Sequence, residues 1–294
     1  MVIGVATPMV AYVVVDGKTV MSGSRMTIIA GVFSICAILC YIVCFKLTGE
    51  RVEVPASDQK ISASAIFKSI FTNKALLGII VAAIFVLLSQ LTVMSLAGYV
   101  YPNVYGSAAA QSTASLLGTV VMLVVCAPFA SKLSAKFGKK ELAMGSSIIS
   151  ALVWLVCLIW RPASVWGFVA CYILANIGMG FFNTIIWAMI TDVIDDAEVR
   201  NGVREDGTIY SVYSFARKLG QAFSSGLVGA LLGIIGYTEA TAFDPAVTRG
   251  IFNMACIAPI IGFVCIVLAL AFLYPLNKKK VEENVAELAA RRNK

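Results

Sequence analysis

Five polar side chains share one face of a predicted helix that is otherwise apolar. They are Ser211, Ser214, Lys218, Gln221 and Ser225. Their spacing of 3, 4, 3 and 4 residues aligns them along an α-helix. Hydrocarbon cannot hydrogen-bond such groups, so the stripe must face protein or a water-filled cavity, where it would bind a polar ligand. The alternative for Lys218 is that its long side chain extends to the membrane interface.

A second polar stripe lies on the preceding apolar segment. Its members are Asn176, Gly180, Asn183 and Trp187, at positions i, i+4, i+7 and i+11. Amides beside an aromatic plane suit a sugar, which has both hydroxyl groups and an apolar face. The same residues also suit contacts between membrane helices. The sequence leaves both interpretations open.

Carboxylates gather at the end of this second segment, in Asp192, Asp195 and Asp196. The helix macrodipole disfavours negative charge at a C-terminus, so these groups need a cation or bound water. Lys218 on the next predicted helix is the candidate cation. Its neighbour Arg217 lies about 100° further round that helix, and is either a second cavity charge or a structural or lipid-headgroup contact.

The residue types that most enzymes and metal sites use are missing or unsuitably placed. The chain has no histidine, and its eight cysteines lie in apolar runs, where a cysteine behaves as a small hydrophobic residue. Cys36, Cys40 and Cys44 share a helix face and are predicted to pack against a neighbour. No nucleophile elbow, P-loop or zinc-protease motif is present. The sequence therefore predicts a protein that is not an enzyme and has no cofactor.

The elements that position these residues are membrane-spanning helices. Of the 294 residues, 60% are hydrophobic and only 13% are charged, and the mean hydropathy is +0.89, which predicts a polytopic membrane protein. Seven segments are long enough to span a bilayer core of about 30 Å. They are roughly 27–46, 76–97, 112–131, 142–160, 164–191, 209–236 and 250–275. A shorter apolar run, Val2–Val15, is predicted to be the end of a further span.

The basic residues indicate how the helices are oriented. Of the 23 lysines and arginines, 17 fall in 46–75, 132–140, 193–207 and the C-terminal tail, and four fall on the opposite side. Short cytoplasmic loops collect positive charge, which predicts a cytoplasmic C-terminus in the plasma (inner) membrane. The net charge of +7 is then explained by topology and not by nucleic-acid binding. Residues 61–71 are predicted to form an interfacial helix, and the tail either a solvated helix or a disordered segment.

The sequence from Trp187 to Ala222 resembles a family signature. With its core Tyr213-Ser-Phe-Ala-Arg-Lys-Leu-Gly-Gln221, it resembles the segment that joins helices ten and eleven in the glycoside-pentoside-hexuronide:cation symporters of the major facilitator superfamily. It is closer to the glucuronide carriers than to melibiose permease. Thr48-Gly-Glu50-Arg51 and the lysine-rich segment 132–140 resemble two other motifs of the family. Asp196 departs from the pattern, because the family usually has an aromatic residue there.

The resemblance implies an all-α major facilitator fold that is truncated on its N-terminal side. Residues 1–48 would hold part of helix five (1–15) and helix six, and 49–75 a cytoplasmic linker. The complete half of helices seven to twelve would occupy 76–275, followed by a cytoplasmic tail at 276–294. Helices one to four, which in the family carry the coupling-cation carboxylates, have no counterpart in the chain, so the cation ligands are expected outside it.

The resemblance also implies a function, the transport of a sugar or glycoside coupled to H⁺ or Na⁺ by alternating access between two six-helix halves. Lys218 matches the family's helix-eleven lysine. Combined with the two polar stripes, this predicts the substrate-binding or coupling residues Lys218, Gln221, Ser214, Asn183, Trp187 and Asn176. The residues predicted for a cytoplasmic gate are Asp192, Asp195, Glu198, Arg204 and Arg217. Two alternatives remain: a non-transporting truncated or partner-dependent subunit, and a carrier of another organic anion or a lysolipid.

Overall fold

The computed structural model of the protein describes residues 12–15, 18–21, 23–49 and 73–292. They belong to two compact units, Met1–Lys60 and Ile61–Lys294. Apart from one two-stranded hairpin in the first unit, the regular structure in these ranges is helical, which confirms the predicted all-α class. The interfacial helix predicted at 61–71 lies outside the described residues.

The first residues of this unit that the structure describes form a β-hairpin. Strand β1, Tyr12–Val15, pairs antiparallel with strand β2, Lys18–Met21. The prediction of a helix over residues 1–15 is therefore wrong at Tyr12–Val15, and the other residues of that segment lie outside the described ranges. Three consecutive valines favour extended backbone. Asp16-Gly17, which stands between the two strands in the sequence, is a typical hairpin-turn pair.

Helix α1, Gly23–Leu47, follows the hairpin and matches the span predicted at 27–46. None of its residues is buried in this unit as the structure describes it. A largely apolar helix of 25 residues is long enough to cross a bilayer, and its exposed apolar surface suits lipid or other membrane helices. Cys36, Cys40 and Cys44, predicted to pack against a neighbour, are exposed here.

Between residues 73 and 292 the second unit is built from eight α-helices. They are α2 Lys74–Tyr99, α3 Ala108–Val121, α4 Ala127–Phe137, α5 Lys139–Trp160, α6 Val165–Asn201, α7 Asp206–Ile234, α8 Pro245–Leu268 and α9 Lys278–Arg292. Short π-helical segments extend α2, join α3 to α4 and extend α8. They are Val100–Val104, Met122–Cys126 and Ala269–Leu273. Every segment predicted to span the membrane is therefore helical.

Six helical segments in the described ranges are long and apolar enough to cross a membrane by length and composition. They are Gly23–Leu47, Lys74–Val104, Ala110–Phe137, Lys139–Trp160, Val165–Asn201 and Pro245–Leu273. The seventh predicted span, α7, is a helix of 29 residues that is not among the six. Arg217, Lys218 and the polar residues around them lower its hydropathy. It nevertheless packs along α2 with a buried face that includes Tyr213 and Gly220.

Close helix packing holds the second unit together. Helix α2 packs against both α7 and α8, and a Cβ atom added at Gly78 would lie 2.9 Å from the backbone nitrogen of Tyr274. Gly178 of α6 allows an even closer approach to the Ser146 carbonyl of α5. Ser150 of α5 donates a 2.8 Å hydrogen bond to a carbonyl of α6. Small residues and hydroxyl hydrogen bonds of this kind drive the association of membrane helices.

Helix α9 packs on the C-terminal part of α6. Its buried residues are Asn284 and Leu288, which are one turn apart and so lie on one stripe of the helix. Its other residues are mostly exposed and many are charged. Of the two alternatives predicted for the tail, a solvated helix or disorder, the structure shows a helix over 278–292. One face of that helix is docked rather than solvated.

Candidate functional site

The polar stripe of α7 lies on the side of the helix that faces away from the core of the second unit. The opposite side is buried and consists of Ile209, Tyr213, Ala216, Gly220, Ser224 and Val228. Of the stripe, Ser211, Ser214, Lys218 and Ser225 are exposed, and Gln221 is half-buried. This pattern of burial agrees with the prediction that the five side chains share one face.

Lys218 and Gln221 contact each other on this open face. The Lys218 ammonium donates to Gln221 Oε1 over 3.3 Å. The hydroxyls of Ser211 and Ser225 donate to backbone carbonyls one turn earlier in the helix. None of the ion pairs among the described residues involves Lys218. The face therefore presents a positive charge together with amide and hydroxyl groups.

The two asparagines of α6 have different partners. Asn183 donates a 3.2 Å hydrogen bond to Gln90 Oε1 of α2, so it links two helices. Asn183 and Gln90 are both half-buried, and each side-chain amide has polar atoms that this one hydrogen bond does not use. Asn176 donates to the Tyr172 carbonyl of its own helix and lines a small cavity beside Trp154. The described hydrogen bond of Asn176 thus stays within α6.

Trp187 joins α6 to α7 through an aromatic cluster. Its ring packs edge-on against Tyr213, with centroids 5.5 Å apart, and stacks with Tyr210 at 6.1 Å. The Arg217 guanidinium carbon lies 5.3 Å from the Trp187 ring centroid and 5.8 Å from that of Tyr213, within the range of cation–π attraction. Arg217 also donates a 3.2 Å hydrogen bond to the Tyr213 hydroxyl. Trp187 is 44% exposed, so one edge of the cluster is open.

Asp192 pairs with Lys139, the first residue of α5. Lys139 Nζ lies 2.6 Å from Asp192 Oδ1, and the carboxylate side chain is only 6% exposed. The prediction that Lys218 supplies the cation for Asp192 is therefore wrong. Asp192 comes five residues after Trp187, which rotates it about 140° around α6. Trp187 consequently faces α7, whereas Asp192 faces the N-terminus of α5, where the helix dipole also favours a negative charge.

Arg204 links carboxylates on both sides of the turn between α6 and α7. Its guanidinium nitrogens lie 2.9 Å from Asp195, 2.8 Å from Glu198 and 2.8 Å from Asp206. Burial works against the charge, but hydrogen bonds to the three carboxylates outweigh it and hold the pKa of Arg204 above its ordinary value. The structure thus brings three of the predicted gate residues together. The described polar contacts of Arg217 are with aromatic side chains instead.

Asp196 anchors helix α9. Asn284 donates a 3.0 Å hydrogen bond to Asp196 Oδ1, and both residues are buried. Arg200 Nε lies 3.0 Å from the other carboxylate oxygen, in a contact that pairs the charges without the alignment of a hydrogen bond. Arg291 of α9 donates to two backbone carbonyls in the last turns of α6.

Sequence patterns had missed two partners, Lys139 and Asn284. Lys139 belongs to the lysine-rich segment 132–140, which indicates the orientation of the chain and resembles a family motif but does not predict a pairing with Asp192. The departure of Asp196 from the family pattern left the contact at that position open, but it did not indicate Asn284 as the partner. Within the described residues no group of three or more His, Cys, Asp or Glu side chains is arranged to hold a metal ion. The end of α6 is an ion-pair network, and the open face of α7 is the candidate ligand site.

A family model described as MFS/sugar transport protein matches residues 1–278. The chain is 28% identical over 264 residues to the glucuronide carrier protein homolog of Escherichia coli (strain K12), covering 89% of this chain and 56% of that relative. It is 30% identical over 266 residues to the uncharacterized symporter YjmB of Bacillus subtilis (strain 168), covering 89% and 57%. It is 24% identical over 294 residues to the isoprimeverose transporter of Lactiplantibacillus pentosus, covering 95% and 60%. The chain thus spans little more than half the length of these relatives.

Proposed function

Because the chain belongs to the MFS/sugar transport protein family, we propose that it forms the C-terminal part of a symporter that moves a sugar or glycoside together with H⁺ or Na⁺. It is a multi-pass membrane protein, and the family assignment confirms the resemblance carried by Trp187–Ala222. Membership in a family of transporters also agrees with the prediction that it is not an enzyme. Relatives named for a glucuronide and for isoprimeverose support a sugar or glycoside as the cargo.

The observation that carries the proposal is the open polar face of α7. Lys218 and Ser214 are exposed there and Gln221 is half-buried, although the same helix buries its other face in the core. In transporters of this kind the substrate binds near the bilayer midplane between two halves that rock against each other. We assign sugar hydroxyls to the ammonium, amide and hydroxyl groups, and the apolar face of the sugar to Trp187. Asn183, held by its bond to α2, would complete the set.

The ion pairs at the end of α6 suit a gate, which we place on the cytoplasmic side from the distribution of basic residues. A gate must break and re-form contacts during each cycle. Arg204, Asp195 and Glu198 keep 31%, 20% and 18% of their side chains exposed, so they can exchange partners without leaving a bare charge in the core. The more deeply buried pair of Asp192 and Lys139 would stay closed and hold α6 to α5.

Lys218→Ala tests the proposal. We expect proteoliposomes that contain the native protein carrying this chain to concentrate a radiolabelled methyl glycoside, and the variant to lose this uptake with no change in the amount of inserted protein. Lys279→Ala removes an exposed lysine from α9 and is the matched control, which should transport normally. Uptake by Lys218→Ala at the rate of the control would contradict the role of Lys218. Absence of glycoside uptake in the unmodified protein would contradict the proposed function itself.

We propose a partner-dependent subunit as the second candidate. The chain spans 56% of the glucuronide carrier homolog, and a chain of this length would need helices from another polypeptide to enclose a substrate. Reconstitution of the 294-residue chain with and without a separate N-terminal half of that relative tests this candidate. Uptake by the chain alone would exclude a partner-dependent subunit, whereas uptake only with the second polypeptide would agree with one. Competition by lysolipids and not by glycosides would instead identify a different cargo.

A further inference from the structure

Arg217 and Lys218 are positive charges in the interior of α7 that no described carboxylate neutralises. None of the ion pairs in the described ranges involves either residue. Arg217 lies 11 residues beyond Asp206, where α7 begins, or roughly 17 Å along the helix axis. Charges at membrane depth are expensive, and they are almost always paired or face a water-filled cavity. The carboxylates at the end of α6 are already held by other cations, such as Lys139 and Arg204.

Aromatic side chains fix the guanidinium of Arg217. It lies over the rings of Trp187 and Tyr213, at 5.3 and 5.8 Å from their centroids. One hydrogen bond, from Nη1 to the Tyr213 hydroxyl, is described for it, and a guanidinium has five N–H donors. An aromatic face attracts the cation without neutralising it. The side chain is therefore oriented while its charge and most of its donors stay available.

This geometry suits an anionic group more than a neutral one. The planar fork of a guanidinium gives two parallel N–H···O bonds to one carboxylate or sulfonate. Lys218 cannot make this pair, because its ammonium is a point charge, and it already contacts Gln221. Trp187 is 44% exposed, so a ligand can approach the guanidinium along the open edge of the ring.

We propose that Arg217 binds the anionic group, a carboxylate or a sulfonate, of a negatively charged sugar. Trp187 and Tyr213 are the positioning residues that hold its guanidinium. This inference rests on the proposed function, because it names the class of substrate that the same site selects. It gives Arg217 a role different from the predicted gate, in keeping with contacts that are to aromatic residues and not to Asp195 or Glu198.

Three probes that differ only in the group at C6, two anionic and one neutral, test the proposal. They are methyl β-D-glucuronide, methyl β-D-glucoside and the 6-sulfonate of the glucoside, measured by binding to the purified native protein and by uptake into proteoliposomes. We expect Arg217→Gln to weaken binding of both anionic probes about 10- to 100-fold, the loss expected for a charge-assisted hydrogen-bonded pair. Binding of the neutral glucoside should change by less than about two-fold. Arg249→Gln, which removes an exposed arginine at the start of α8, is the matched control and should change neither.

The conservative and positioning variants separate geometry from charge. Arg217→Lys keeps the charge but loses the planar fork of the guanidinium. Its affinity for the anionic probes should therefore lie between that of the unmodified protein and that of Arg217→Gln. Tyr213→Phe should raise KM for the anionic probes and leave both kcat and the KM for the glucoside unchanged. Trp187→Leu also removes the ring assigned to the apolar face of the sugar, so it should raise KM for all three probes, and most for the two anionic ones. A merely structural role for Tyr213 would lower the uptake of all three probes together.

Each outcome decides between specific possibilities. Glucoside uptake without any preference for the charged probes would overturn the inference and leave the proposed function intact. An equal loss of all probes in Arg217→Gln would also overturn it. An effect that appears only in vesicles with anionic lipid would identify Arg217 as a headgroup contact. If the unmodified protein binds none of the three probes, the proposed function fails first and the inference with it.

Discussion

Replacement of Asn284 by alanine should release helix α9 from α6 without unfolding the bundle. Asn284 provides the only hydrogen bond that the described residues make to the Asp196 carboxylate. Leu288 is the other buried side chain of the helix, and Arg291 contributes two bonds to backbone carbonyls. The docked state therefore depends on few contacts, and one of them involves a buried charge.

The size of the effect follows from the burial of the pair. Asp196 and Asn284 are 1% and 2% exposed, so water cannot replace the lost donor while the helix stays docked. A hydrogen bond to a charged group contributes about 1.5–3 kcal/mol. We expect Asn284→Ala to lower the free energy of undocking α9 by about this amount, which corresponds to about a 10- to 100-fold rise in the population of the undocked helix.

Amide hydrogen exchange of α9 measures this population, because local opening of a terminal helix is reported by its own amides. In Asn284→Ala, exchange of α9 should accelerate by the same factor, while exchange of α2 and α5 stays unchanged. Val285→Ala, which shortens an exposed neighbour on the same helix, is the control. Equal exchange of α9 in the two variants would refute the reasoning. Equal acceleration throughout the bundle would show that the contact stabilises the whole fold and not the docking of α9.

Two further predictions concern the packing of α6 on α5. Lys139→Ala leaves the Asp192 carboxylate buried without its cation and should destabilise the detergent-solubilised protein by about 1–3 kcal/mol, less than for a fully buried pair because Lys139 is 32% exposed. Thermal unfolding measures this loss, and a second change, Asp192→Asn, should restore most of it; a loss that persists in the double variant would contradict the explanation. Gly178→Ala places a Cβ atom against the Ser146 carbonyl and should lower the free energy of unfolding by about 1–3 kcal/mol. Gly145→Ala is the control and should leave that free energy unchanged, because a Cβ atom there meets nothing. Similar melting temperatures for the two variants would be inconsistent with close packing at Gly178.

The helices were predictable because each depends on an apolar run that the sequence shows directly. The ends of the helices were less predictable. The span predicted at 164–191, for example, continues as one helix to Asn201. Beyond the apolar run the helix is supported by polar contacts such as the pair of Asp196 with Arg200, one turn apart. The prediction was wrong at Tyr12–Val15, just before Asp16-Gly17, because apolar content alone does not distinguish a helix end from a strand.

The partners of the carboxylates could not be predicted, because a linear sequence does not show which side of a helix faces which neighbour. Lys218 is a cation on the next span, yet Asp192 turns toward Lys139, 53 residues earlier. Asn284 lies 88 residues from Asp196 and has no motif around it. The stripe on α7 was easier to predict, since its alignment depends only on helical periodicity within one segment.

The charges of the second unit divide according to where their partners lie. At the end of α6, Asp192, Asp195 and Glu198 pair with cations of the same unit, so their charges contribute to the fold or to its gating. Arg217 and Lys218 have no such partner among the described residues, although a charge inside an apolar helix is costly. In the proposed function, an anion from outside the unit would compensate these two cations. The negatively charged substrate that we propose would do so in each transport cycle, whereas a permanent carboxylate partner would occupy Arg217 and compete with that substrate.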